Sequence, residues 1–195
     1  MSPGTSEPTA APADAPRRPD AVRNREKVVA AAEKVFAEQG IDAGIPEVAE
    51  EAGVGKGTVY RNFESKDDLV AAILARRLER FDRDVTGALE SDDPGAAFRD
   101  VLRQAATRAN DLSFPASIYW TGRSNELDEV KQRVTRHMEE LLAKGKEAAA
   151  IREDAKVSEV WVQFGGVLRS LGDSGESDPV IWQRHADLVA DAFRP

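Results

Sequence analysis

The sequence predicts an all-α protein in two parts, a small three-helix unit followed by a larger helical one. Apolar residues recur at three- and four-residue spacing along most of the 195 residues. No segment alternates apolar and polar residues convincingly as a half-buried strand does, and no internal repeat is visible. Gly, Pro and Ser/Asp clusters punctuate the periodic segments where helices should begin and end.

The elements follow in order. Residues 1–19, "MSPGTSEPTAAPADAPRRP", lack large apolar side chains after Met1, so they cannot offset the entropy of ordering and read as a disordered tail. Val28, Ala32, Val35 and Phe36 mark a first helix over Ala21–Gln39, stopped by Gly40. Pro46 suits the opening turn of a short second helix that Gly53 ends. A still shorter helix, Lys56–Asn62, comes next. Ser65 and Asp68 then have the spacing of a capping box, with Asp where Glu or Gln is usual. From that cap Leu69, Ile73, Leu74, Leu78, Phe81, Val85 and Leu89 sketch a long amphipathic helix. Phe98, Val101, Leu102 and Ala105 mark another, and Leu127, Val130, Val134, Met138 and Leu141 the next. "VSEVWVQFGGVLRSLG" and "DPVIWQRHADLVADAF" form the last pair, divided by "GDSGESDP". The expected boundaries are a tail at 1–19, a small domain at 20–66 and a larger one at 67–195.

Composition narrows the function. With 41% hydrophobic and 32% charged residues the chain reads as soluble and globular. No run approaches the length of a membrane span and the N-terminus lacks a signal peptide's apolar core, so a cytoplasmic location without membrane contact is expected. Cysteine is absent and the two histidines, His137 and His185, are far apart, so no metal, disulfide or cofactor is expected. Nothing resembles a Ser/His/Asp arrangement or a nucleotide fold, and an enzyme is not expected. The net charge of −8 argues on its face against a nucleic-acid partner. The acidity lies mostly late in the chain: residues 17–66 carry nine basic and nine acidic side chains, whereas 67–195 carry 18 and 24.

"GVGKGTVYRNF", residues 53–63, admits two readings. A phosphate-binding loop needs Gly, four residues, then Gly-Lys-Ser/Thr, with a strand before it. Here Gly57 follows Gly55-Lys56, Glu50 stands where the first glycine belongs, and a short helix precedes. A helix-turn-helix needs a support helix, a tight turn and a slim recognition helix, and this stretch supplies the last two in order. Gly53 admits the left-handed turn, Val54 plugs the small core, and Gly57 and Thr58 keep the front of the helix slim. Lys56 and Lys66 bracket it as phosphate anchors, while Tyr60, Arg61 and Asn62 add donors for backbone or bases.

The longer stretch "AEEAGVGKGTVYRNFESKDDLVAAIL" resembles the DNA-binding signature of the TetR family of bacterial transcriptional regulators, over residues 21 to about 75. The resemblance implies operator contacts from Lys56, Gly57, Thr58, Tyr60, Arg61, Asn62 and Lys66, with Phe63 packing inward. Two positions depart from the pattern: Gly44 where many members carry Thr, and Gly55 where many carry Ser. Each removes a hydroxyl that would cap a helix or touch a phosphate. Arg17, Arg18, Arg23 and Arg25 read either as arms along the phosphates or as a solvated surface.

The resemblance also implies a larger domain that binds a small molecule and forms a homodimer on double-stranded operator DNA, most simply as a repressor released by its ligand. Dimerisation follows independently, since two recognition helices must reach half-sites about 34–36 Å apart. Trp161, Phe164, Gly165, Leu168 and Leu171, with Ile181, Leu188 and Phe193 behind them, suit an intersubunit four-helix bundle, or else an intrachain core. For the ligand cavity the expected lining is Phe81, Phe98, Leu102, Phe114, Tyr119, Trp120, Val134, His137 and Met138, again with core packing as the alternative.

Overall fold

A computed structural model describes the backbone of residues 18–111 and 124–195, with side chains described at 21–109 and from 124 onward. The tail up to residue 17, Phe114, Tyr119 and Trp120 lie outside the described residues. Those described form eight helices and no strand: α1 (Arg18–Gln39), α2 (Ile45–Glu51), α3 (Lys56–Asn62), α4 (Lys66–Ala88), α5 (Pro94–Asp111), α6 (Asn125–Glu147), α7 (Val157–Asp173) and α8 (Pro179–Asp191). None of them is long and apolar enough to cross a membrane.

The small core is built from one face of α1. Val28, Ala32, Val35 and Phe36 are buried at helical spacing, joined by Val48, Ala49, Val59 and Phe63 from α2, α3 and the residue after it. Burying a side chain of this size stabilises by about 1.5–3 kcal/mol. Gly40 ends α1 at φ +84° with its N–H donating to the Phe36 carbonyl, a conformation that costs glycine nothing. Helix α4 closes the unit from below with Leu69, Val70 and Ile73, all buried. Its start is set by a reciprocal capping box: Ser65 Oγ accepts from the Asp68 N–H at 3.1 Å, and Asp68 Oδ2 accepts from the Ser65 N–H at 3.0 Å.

The same α4 continues into the larger half, where it packs on α6 and α5. Two buried carboxylates mark its two neighbours. Glu33 of α1 accepts from Arg77 Nε at 3.0 Å and Arg80 Nη2 at 2.9 Å. Asp82 of α4 accepts from Arg133 Nε at 2.9 Å and lies 2.8 Å from His137 Nδ1, both on α6. Each acid is buried because it is paired, which is the condition on which a charge tolerates an apolar interior.

Helix α8 is fastened to α5 by packing and charge together. Phe98 and Phe193 meet edge to face at 5.7 Å, and Asp187 takes a bidentate pair of bonds from Arg103 at 2.6 and 2.8 Å with Arg99 beside it. Between α6 and α7 the chain turns so tightly that a Cβ on Gly145 would stand 2.5 Å from the Ile151 side chain. Arg152 then lies 5.3 Å over the Phe193 ring while its N–H donates to the Phe193 carbonyl, so the chain's end is held to this turn.

Hydrogen bonding from Arg103 above all holds the Asp187 carboxyl below its ordinary pKa of 3.8; burial opposes it, and Arg99 adds a smaller lowering effect. A depressed folded pKa contributes stability that is complete above the unfolded value and is lost as pH falls below it. Asp187→Asn is therefore expected to cost about 1 kcal/mol in urea unfolding at pH 7, the site being part-exposed. That difference should shrink as the pH is taken below about 4.

Candidate nucleic-acid interface and effector cavity

The α2–α3 pair is built for presentation. Gly53 sits at φ +65°, which lets the chain turn between the helices within the four residues 52–55. The Val54 N–H then donates to the Ala49 carbonyl at 3.0 Å, and its side chain packs half-buried on the small core. Only Val59 of α3 is buried, and Phe63 just after it is 4% exposed, so the helix is held from behind by these two side chains. Lys56, Gly57, Tyr60 and Arg61 face outward, with Tyr60 56% exposed.

The outward side chains are partly pre-ordered. Arg61 folds back along its own helix, Nε donating to the Gly57 carbonyl and Nη2 to Thr58 Oγ1, both at 3.1 Å. The half-buried Asn62 donates to the Thr58 carbonyl at 2.7 Å. These two must swing to reach a ligand, whereas Lys56 and Tyr60 stand directly in solvent. Lys66 rests its ammonium 5.3 Å over the Phe36 ring, at the base of the same face. Helix starts on this face have bare backbone: the N-caps of α2 and α3 are Gly44 and Gly55, and neither makes a side-chain cap. At Gly44 the Glu47 carboxylate folds back into the space, 2.8 Å from where a Cβ would be; at Gly55 and Gly57 an added Cβ meets nothing within 4 Å.

The arginines upstream divide. Arg25 donates to Glu126 of α6 at 2.6 Å and lies 5.2 Å over Phe63, so it bridges the small unit to the large one. Arg17 lies outside the described residues, as does the side chain of Arg18.

In the larger half a cavity of about 380 Å³ opens between α4, α5, α6 and α7. Its described walls include Leu78, Phe81, Ala105, Val134, Trp161, Phe164, Gly165 and Leu168, with Arg77, Arg80, Arg108, Lys131 and Thr135 as the polar groups. Phe81 and Trp161 meet edge to face at 6.0 Å. Of the lining expected from sequence, Phe81 and Val134 are placed here. Phe98, Leu102 and Met138 are instead core residues, at most 2% exposed, and His137 is engaged with Asp82.

Of the residues expected at a dimer face, Trp161, Phe164, Gly165 and Leu168 line the cavity, and Phe193 is fully buried against Phe98. The large apolar side chains left uncovered on α7 and α8 are Val162 at 71% exposed, with Val180 and Leu188 at 69% and 55%. Leu171 and Ile181 are half-buried nearby in sequence. The cavity's four cations were not expected from sequence. A signal existed, since Arg77 and Arg80 flank Leu78 and adjoin Phe81 inside the apolar stripe of their helix.

Residues 28–73, the span from the α1 core face through the buried start of α4, match the family model described as bacterial regulatory proteins, tetR family. Over this stretch the chain is similar to the TetR family. HTH-type transcriptional regulators of Staphylococcus aureus are 38% identical over 65 residues, 33% of this chain and 35% of theirs. The chain thus aligns with about a third of the length of these curated relatives. A TetR transcriptional regulator from Streptomyces coelicolor superposes with a TM-score of 0.60 at 28% identity, over 88% of this chain and 98% of that one. The regulator FadR from Bacillus subtilis, solved in complex with stearoyl-CoA, shares the fold with a TM-score of 0.65 at 17% identity, over 87% and 99%. The relatives on both comparisons are transcriptional regulators by description.

Two substitutions separate folding from function at α3. Gly57→Ala fills open space in a helix and is expected to raise stability by roughly 0.5–1 kcal/mol, yet to weaken duplex DNA binding by putting a methyl group on the presented face. Gly55→Ser supplies the missing cap at a compatible φ of −71°; thermal unfolding should show a gain of a few tenths of a kcal/mol with DNA affinity kept or improved.

Proposed function

We propose that this chain is a TetR-family regulator that binds double-stranded operator DNA as a homodimer and represses transcription until a small molecule occupies the larger domain. The observation that carries the reading is the presentation of α3: a seven-residue helix held from behind by Val59 and Phe63, with Lys56, Gly57 and Tyr60 outward and Lys66 at its base. Lys56 and Lys66 anchor phosphates, and Thr58, Tyr60, Arg61 and Asn62 meet backbone oxygens or base edges. Leaving Arg61 and Asn62 in intrahelical bonds until DNA arrives costs little, because each exchanges one hydrogen bond for another.

Dimerisation falls to the sides of α7 and α8 that carry Val162, Gly166, Val180 and Leu188, where an added Cβ on Gly166 meets nothing within 4 Å. Two-fold pairing of these helices would form a four-helix bundle and set the spacing of the recognition helices. The effector occupies the α4–α7 cavity; its size is within the range of small-molecule sites, and the FadR neighbour was solved with stearoyl-CoA. Because α4 both walls the cavity and floors the small core, a ligand that prefers another α4 position changes the separation of the two α3 helices. Ligand and operator then disfavour each other by the same coupling free energy.

A duplex selected from a random pool, followed by fluorescence anisotropy, tests the reading: affinity should fall steeply with salt. Lys56→Ala should lower it and reduce the salt slope by about one. Salt-independent binding, or no selectable duplex, would sink it. Leu188→Glu should turn the dimer into monomer in analytical ultracentrifugation and abolish tight operator binding.

A further inference from the structure

The chain carries a net charge of −8, yet the charged residues lining the cavity, among those described, are four cations: Arg77, Arg80, Arg108 and Lys131. The rest of the wall is mostly apolar, including Phe81, Val134, Trp161 and Leu168. The carboxylates that neutralise these cations belong to none of the lining residues: Glu33 for Arg77 and Arg80, Asp84 for Arg108, and Asp128 at 3.8 Å for Lys131. A neutral apolar compound would leave those cations beside low-dielectric surface without gain, whereas an anion on an apolar body meets both features of the wall.

Arg77 and Arg80 have a second attachment. Both hold Glu33, which stands on α1 in the DNA-binding half at 8% side-chain exposure, while Arg80 is itself 31% exposed and reachable from the cavity. A guanidinium has five N–H donors in one plane, so an incoming carboxylate can take donors from the same fork that Glu33 uses.

Resting on the effector reading above, we propose that the cavity takes an organic acid with an apolar body, and that its carboxylate competes with Glu33 for Arg80 and Arg77, loosening α1 from α4. The ligand's charge is then the part of it that is sensed. The apolar body supplies affinity and the carboxylate supplies the signal, because only the carboxylate weakens the contact between the two halves.

Calorimetric titration of the full chain with two matched pairs, decanoate against decan-1-ol and benzoate against benzyl alcohol, tests the proposal. Nile red serves as a neutral probe of whether the cavity admits a ligand at all. At least one carboxylate should bind about tenfold more tightly than its alcohol, as a charge-assisted hydrogen bond implies, and should release selected duplex DNA in anisotropy. Arg80→Gln, which leaves Arg77 on Glu33, should erase the carboxylate's advantage while leaving the alcohol within about twofold, a change well below one hydrogen bond. Glu33→Gln, if it folds, should raise carboxylate affinity and not alcohol affinity; a purely structural Glu33 would move both alike. Equal affinity for acid and alcohol overturns the proposal, as does an advantage that survives Arg80→Gln. Nile red binding without carboxylate binding overturns the proposal and leaves the effector reading intact; binding by no probe overturns both.

Discussion

Glu33 is buried between α1 and α4, and its burial is tolerable because Arg77 and Arg80 pair with it, with Arg76 Nη1 3.8 Å away. Removing one partner from such a cluster costs on the order of 3–5 kcal/mol, far more than the pair contributes relative to an apolar substitute. That asymmetry makes the cluster a constraint more than a source of stability: it favours the position of α1 on α4 in which Glu33 is paired. Everything on the DNA-facing side inherits it, since α2 and α3 are packed on α1 through Val48, Ala49 and Val59. The salt bridge from Arg25 to Glu126 adds a second, more exposed tie between the same halves.

The recognition helix shows how little is needed once its support is rigid. Seven residues are too few to be stable as an isolated helix, and α3 has no side-chain cap. Its conformation is held by Val59, by Phe63 under Arg25, and by the turn at Gly53. Because packing from behind does this work, the outer face can stay slim, with Gly55 and Gly57 open on their Cβ side.

Helix α7 serves two surfaces. Trp161, Phe164 and Leu168 wall the cavity, and Val162 stands on another side in solvent. In the proposed dimer, a ligand pressing on the first surface would act on the second through the same rigid helix. Asp82 fixes α6 against α4 in the same region, which leaves α4 the element with a packed neighbour on every functional side.

Local signals were legible in the sequence wherever one helix and its ends decide the outcome. The α3 limits at Lys56 and Asn62, the Ser65–Asp68 cap and the need for glycine at 53 follow from spacing and backbone sterics. The apolar stripe of each helix followed as well, because periodicity reports which face is buried. It does not report against what. Phe98, Phe193 and Met138 are core while Trp161 and Leu168 are cavity wall, and Arg77 and Arg80 link the two halves through Glu33. The partners of a buried face come from residues far away in the chain, as Glu33 does for Arg80 across 47 positions, and no local pattern encodes that distance. Sequence alone determined the helices and the DNA-facing motif; tertiary packing decided which apolar and charged side chains share a site.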